Sequence, residues 1–100
     1  MYVSNISFQV APEIEPIWLE WMKATFIPLF DATQCFVDTK FYQIEVTEDQ
    51  FPTFTLQLFA MNKEKMDEYL TGYAQNLLNE LHAIWGEKCY HFNTNMRIVN

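Results

Sequence analysis

Segments with the hydrophobic period of a strand alternate along this chain with segments that have the period of a helix. The order of these segments limits the fold more than any other feature. Residues 2–10 alternate apolar and polar side chains, which is the period of a half-buried strand. From Glu13 onward apolar residues recur at helical spacing, so we expect a helix here. Pro28 should break or kink this helix after Phe26 and Ile27, because proline has no amide donor and its ring clashes with the preceding turn. A short turn is expected over residues 29–32.

The rest of the chain repeats this change of period. A second helical pattern begins after Asn62, a suitable N-cap, and ends before Gly86, which suits the residue that follows a helix. Its predicted apolar stripe consists of Met66, Leu70, Tyr73, Leu77, Leu81 and Ile84. Three further segments alternate with the period of strands, and the first two are separated by a turn typical of a hairpin. These strands span residues 34–46, 53–61 and 89–99, with the turn at 47–52.

The resulting order is βαββαβ, which predicts an α+β ferredoxin-like sandwich occupying residues 1–100 as one domain. Both helices should cover one face of a four-stranded antiparallel sheet. Because each βαβ crossover is right-handed and skips a strand, the expected spatial order is fourth, first, third, second.

Alternation also assigns the strand side chains to two faces. The predicted helix-covered face consists of Ile6, Phe8, Val10, Phe54, Leu56, Leu58, Phe92, Met96 and Ile98. The opposite face, which we call the open face, is predicted to hold Asn5, Ser7, Gln9, Thr53, Thr55, Gln57, Phe59, His91, Asn93, Asn95 and Arg97, with Phe41 as a further aromatic candidate. Hydroxyls and amides dominate this second set, whereas a sheet face made for bulk water is rich in charged residues. The pattern therefore predicts that the open face is covered.

Two kinds of cover fit this composition. The open face could pack against a second copy in a homodimer, with its polar groups hydrogen-bonded to one another. Alternatively, two such faces could enclose a cavity that holds a small molecule. The two interpretations can hold together.

Charge and hydropathy exclude several other partners. Thirteen acidic and six basic residues give a net charge of −7, and the basic residues are spread along the whole chain, so nucleic acid and anionic membranes are poor partners. No apolar run approaches the roughly 20 residues that span a bilayer, and the first ten residues lack a secretion signal. Cys35 and Cys89 lack the spacing of a zinc site and lie on opposite edges of the predicted sheet, so we expect free thiols in a cytoplasmic protein.

Four segments resemble an uncharacterised bacterial family of about a hundred residues, a domain of unknown function. They read WLEWMKATFIP, CFVDTKFYQI, FTLQLFAMNKEKMDEYL and IWGEKCYHFNT, so the resemblance covers essentially the whole chain. It implies the architecture of dimeric α+β barrel proteins, in which two ferredoxin-like sheets face each other. In relatives a histidine often precedes the Ile-Pro pair, but this chain has Phe26, which cannot move a proton.

The wider barrel superfamily also includes haem-degrading enzymes, whose pattern is matched only in part. Asn5 resembles their first-strand asparagine, but the third strand has Phe59 in place of a tryptophan. The second helix offers only His82, near its end, as a haem ligand. We therefore expect no cofactor.

Candidate ligand-binding residues cluster on the last strand. Arg97 is the strongest, because a lone guanidinium on an uncharged face needs an acceptor such as a ligand carboxylate, a partner carboxylate or a backbone carbonyl. Its predicted neighbours are His91, Asn93 and Asn95, with Asn5 on the first strand. No phosphate loop, catalytic triad or paired metal ligands are present, so no catalytic or metal-binding residue is assigned.

Two functions remain open at this point. The first is a non-enzymatic homodimeric module that binds a small ligand or another protein through the open face. The alternative is a cofactor-free enzyme, a monooxygenase or isomerase of the barrel type. An enzyme requires a titratable group with a shifted pKa beside its substrate, whereas a binding module requires none.

Overall fold

A computed structural model describes all 100 residues and has the predicted βαββαβ order. Each predicted helix is divided in two. The elements are β1 (Tyr2–Val10), α1 (Glu15–Trp21), α2 (Ile27–Ala32), β2 (Asp38–Ile44), β3 (Thr53–Ala60), α3 (Lys63–Gly72), α4 (Ala74–Trp85) and β4 (Cys89–Arg97). A π-helical turn, Met22–Phe26, joins α1 to α2, and short 3₁₀ turns lie at Pro12–Ile14 and Gly86–Lys88.

The four strands form one antiparallel sheet in the order β2-β3-β1-β4, which confirms the predicted topology. The hairpin between β2 and β3 is also present, with Ile44 opposite Thr53 at its base. The second strand is shorter than predicted, because residues 34–37 and 45–46 lie outside it. Phe36 instead packs before β2 against Tyr69, with ring centroids 4.9 Å apart.

The core lies between the sheet and the helices and is built largely from aromatic rings. The inward residues of β1 and β3 are those predicted from alternation, and all of them are buried: Ile6, Phe8, Val10, Phe54, Leu56 and Leu58. Trp18 of α1 lies at the centre, with its ring centroid 5.5 Å from that of Phe8 and 5.1 Å from that of Phe54. This tryptophan therefore fixes the first helical segment onto the two central strands.

Pro28 distorts the first helical region without ending it, so of the two predicted outcomes, a break or a kink, the break does not occur. We call α1, the π-helical turn and α2 together the first helical rod. A proline amide cannot donate, so a regular α-helix here would leave a carbonyl one turn earlier without its partner. The chain instead widens into the π-helical turn, in which the Ile27 N–H donates to the carbonyl of Met22. Trp21 and Phe26 stack across this turn with centroids 4.7 Å apart. Residues 29–32 are consequently helical and do not form the predicted turn.

The second helical region begins and ends where predicted but bends in the middle. The Asn62 side chain accepts from the Lys65 N–H at 2.9 Å, and Gly86 ends the region with a φ of 58° that favours glycine. At Tyr73 the backbone leaves the helical region, with a φ of −131°. The bend changes the phase of the apolar stripe, so Tyr73 and Ile84 are exposed while Tyr69 is fully buried.

The Asn62 cap gives a test of this fold. Replacing Asn62 with alanine should lower the free energy of unfolding by about 1 kcal/mol, because the Lys65 N–H loses its acceptor. Urea denaturation measures the change, and Asn62→Ser should restore most of it. Gln75→Ala is a matched control, because it removes an exposed bond within a helix, from Gln75 to Asn79, and should have a smaller effect. Equal losses in Asn62→Ala and Gln75→Ala would contradict the cap.

Candidate functional site

The register between β1 and β4 decides which side chains occupy each face. Residues directly opposite one another in an antiparallel pair lie on the same face. Val10 is opposite Cys89 and Phe8 is opposite His91. Val10, Phe8 and Cys89 are all buried beneath the helices. The odd-numbered residues of β4 therefore lie on the helix-covered side of the sheet.

This register makes the predicted face assignment of β4 wrong. Four predicted ligand-binding residues continue the odd-numbered series and lie on the helix side: His91, Asn93, Asn95 and Arg97. Only Asn5 of the predicted set is on the open face. Phe92 and Met96, predicted to face the helices, lie on the open face, each beside an open-face residue of β1. Phe41, a candidate for the open face, lies on the helix side, where it stacks on buried Phe54 with ring centroids 5.8 Å apart.

The assignment was wrong because, on the edge strand β4, a polar side chain can lie on the helix side of the sheet and still be exposed to water. The helices cover only the first part of β4, so Asn93, Asn95 and Arg97 are exposed to water although they are on the helix side. His91 is half-buried, and its Nδ1 has no hydrogen-bond partner within the protein. Arg97 forms no ion pair within the chain. Cys89 could have given the correct assignment from the sequence, since cysteine is among the residues most often buried. Placing Cys89 in the core assigns every other residue of β4 to a face by alternation.

The centre of the open face is a small hydrogen-bonded polar cluster on β1 and β3. Thr55 Oγ1 donates to Asn5 Oδ1 at 3.0 Å and lies 3.3 Å from Ser7 Oγ. The Asn5 amide also donates to Ser7 Oγ at 3.4 Å. Gln57 lies opposite Asn5 in the register. Each member of the cluster is half-buried and uncharged, so the centre of the face offers polar groups without net charge.

The edge strands β2 and β4 form the margins of the open face, and both carry exposed apolar side chains. On β4 the exposed fractions of Tyr90 and Phe92 are 54% and 59%, and Met96 is also exposed. On β2 the exposed apolar residues are Tyr42 and Ile44. The register assigns the following residues to the whole face: Val3, Asn5, Ser7, Gln9, Asp38, Lys40, Tyr42, Ile44, Thr53, Thr55, Gln57, Phe59, Tyr90, Phe92, Thr94 and Met96.

Only two charged residues lie on this face. Asp38 and Lys40 are both on β2, and the Lys40 ammonium is 5.5 Å from the centre of the Phe59 ring, within the range of a cation–π contact. The open face is therefore an uncharged polar strip between two margins with exposed apolar side chains, and it has one more charged residue and more aromatic surface than the sequence predicted.

A scan against family models identifies the domain of unknown function DUF4286 over residues 1–99. The chain belongs to the DUF4286 family. This assignment confirms the resemblance to a family of about a hundred residues. No curated protein matches this DUF4286 chain.

Solved structures share the fold of the DUF4286 chain at low sequence identity. An ethyl tert-butyl ether d (ethd) family protein from Bacillus halodurans is 16% identical, with a TM-score of 0.70 over 98% of this chain and 100% of its own. A dimeric ferredoxin-like protein from an uncultured marine organism is 4% identical, with a TM-score of 0.65 over 99% and 95%. An Arabidopsis thaliana protein is 14% identical, with a TM-score of 0.61 over 98% and 96%. These likenesses show the ferredoxin-like fold.

Two further observations describe what the DUF4286 chain contains. None of its helices has the length and hydropathy needed to span a bilayer. No three histidine, cysteine, aspartate or glutamate side chains are grouped where they could share a metal ion.

Both cysteines are free and buried. Burial raises the pKa of the Cys89 thiol from 9.0 to about 11, and the nearby Trp18 side chain, which favours the thiolate, offsets only part of this effect. Burial also raises the pKa of the Tyr69 hydroxyl. Cys89 is therefore held as a neutral thiol at physiological pH, which is the form that packs rather than the form that attacks.

This raised pKa predicts how stability depends on pH. Above pH 9 the unfolded chain ionises Cys89, whereas the folded chain keeps it protonated up to about pH 11. The free energy of unfolding should therefore fall across this interval, and Cys89 should contribute about 2–3 kcal/mol to the fall. Urea denaturation at a series of pH values measures it.

Cys89→Ala should be less stable than the wild type below pH 9 but should show a shallower alkaline loss. Cys35→Ala is the matched control and should keep the contribution of Cys89. Identical alkaline slopes in Cys89→Ala and the wild type would contradict the raised pKa.

Proposed function

We propose that the protein is a homodimeric binding module in which the open faces of two copies meet. The observation that carries this proposal is the exposure of Tyr90, Phe92 and Met96 on a sheet face with only two charged residues. Burying a large apolar side chain contributes about 1.5–3 kcal/mol, so covering these margins favours association. The dimeric ferredoxin-like neighbour, which shares the fold, supports the same assembly.

The size of the face also suits a dimer. Four strands spaced about 4.8 Å apart and about eight residues long give a face on the order of 500 Å² in projection. Side-chain relief makes the accessible area larger, and a stable interface buries about 800 Å² per partner. The open face therefore supplies most of the area that an interface of standard size requires.

Charge favours the same face. Each copy carries a net charge of −7, so two copies repel one another unless acidic surface is kept apart. The open face contributes one acidic and one basic residue, Asp38 and Lys40, which is close to neutral. Contact through this face places the acidic surface of each copy away from the other.

A small ligand enclosed by the dimer would meet the cluster of Asn5, Ser7 and Thr55. These groups offer hydrogen bonds but no charge, so the favoured ligand is neutral and polar with an apolar margin. Arg97, Asn93 and Asn95 point to the other side of the sheet and take no part in such a chamber. We place the dimer in the cytoplasm, where two free thiols stay reduced.

The alternative function is a cofactor-free enzyme, which must move a proton beside its substrate. The titratable side chains of the open face are Asp38, Lys40, Tyr42 and Tyr90, and all four lie on the edge strands β2 and β4. The central cluster contains none. The centre of the open face therefore has no acid or base that could transfer a proton. This distribution favours the binding module over the enzyme.

Light scattering coupled to gel filtration tests the dimer. The wild type should have twice the chain mass of 11.9 kDa. Phe92→Lys should shift the protein toward the monomer, because it buries a charge in the centre of an apolar margin. Ile17→Lys is the matched control, since Ile17 is 67% exposed on α1 and the substitution is equally large, and this variant should remain dimeric. A monomeric wild type would rule out the dimer, and a dimer unaffected by Phe92→Lys would place its interface elsewhere.

A further inference from the structure

A pocket of about 170 Å³ lies at the β2 edge of the sheet, and all of its lining is on the helix side except Tyr42, which the register assigns to the open face. It opens between the first helical rod and the edge strand β2. Its lining consists of Leu19, Lys23, Phe41, Tyr42, Gln43 and Phe54. Neither the sequence patterns nor the proposed dimer gives this pocket a role.

The floor of the pocket is rigid and aromatic. Phe54 is buried, and Phe41 stacks on it with an interplanar angle of 17°. Trp18 packs behind both rings, with its centroid 6.2 Å from that of Phe41. Such a floor offers apolar contact over a flat surface at little entropic cost, because the rings are already fixed by the core.

The rim carries one cation and one amide. Lys23 belongs to the π-helical turn, and its side chain is exposed without a carboxylate partner. Three of the other four lysines are ion-paired, namely Lys63, Lys65 and Lys88, and Lys40 lies over the Phe59 ring on the open face. In a chain with a net charge of −7, an unpaired ammonium beside an apolar pocket is a recognition feature for an anion. Gln43 adds an amide that can donate a second hydrogen bond.

We propose that this pocket binds a small carboxylate with a ring-sized apolar body. A dry cavity of about 150 Å³ is enough to hold benzene, so the space matches one ring and little more. The ring lies against Phe41 and Phe54, and the carboxylate accepts from the Lys23 ammonium at the rim. The π-helical turn that accommodates Pro28 thereby places the one cation that the pocket contains.

Sodium benzoate is the probe, and two-dimensional amide NMR is the measurement. We expect saturable shifts at Lys23, Gln43 and the residues around Phe41. Benzyl alcohol, which has the same ring without the charge, should bind more weakly. Lys23→Gln should weaken benzoate binding by about two- to fivefold, the factor expected for an exposed ion pair, and should leave binding of benzyl alcohol unchanged.

Lys40→Gln is the matched control, because it removes the same charge from the opposite side of the sheet. It should bind benzoate as the wild type does. The proposal is overturned if benzoate gives no shifts up to its solubility limit, if the shifts lie away from the pocket, or if Lys23→Gln and Lys40→Gln bind benzoate equally. Lys23 is outside the open face, so light scattering should give Lys23→Gln the same oligomeric state as the wild type. A failure of the benzoate experiment is therefore distinguishable from a failure of the proposed dimer.

Discussion

The pairing of Val10 with Cys89 is the constraint on which the surface chemistry of this protein depends. Strand side chains alternate, so a shift of one residue would exchange the two faces of β4 completely. With the observed pairing, Cys89 enters the core and Tyr90, Phe92 and Met96 reach the open face. The same pairing moves Arg97 to the other side of the sheet. The apolar β4 margin of the proposed interface and its lack of charge both follow from this single register.

The aromatic core connects the remaining features. Trp18 touches Phe8, Phe41 and Phe54, and it therefore joins the first helical rod to three strands at once. Because these rings are fixed, the gap between the rod and β2 has a firm aromatic floor. The π-helical turn then projects Lys23 over that gap. The pocket is thus a product of the packing around Trp18 and of the way the rod accommodates Pro28.

Periodicity was sufficient to predict the fold, because four strands, two helical regions and the crossover rule leave few topologies. Periodicity failed where the polarity of a side chain does not indicate its face, because the helices cover only part of the sheet. Asn93, Asn95 and Arg97 are polar because helices do not reach the end of β4, and not because they face away from the helices. The turn predicted over residues 29–32 was wrong for a related reason, since a helix can widen before a proline and then continue. The pocket at Lys23 joins residues from the first helical rod and from two strands, and no pattern within one element predicts it.

Isotope-filtered NOE spectroscopy on a mixture of labelled and unlabelled protein tests most directly whether the open face meets a second copy. We expect contacts between copies from Phe92, Tyr90 and Met96. Within one copy, Phe92 should contact Ser7, its neighbour in the register. Contacts between copies from exposed helical residues such as Ile17, or contact of Phe92 with the core ring of Phe8, would contradict the proposed interface and the register beneath it.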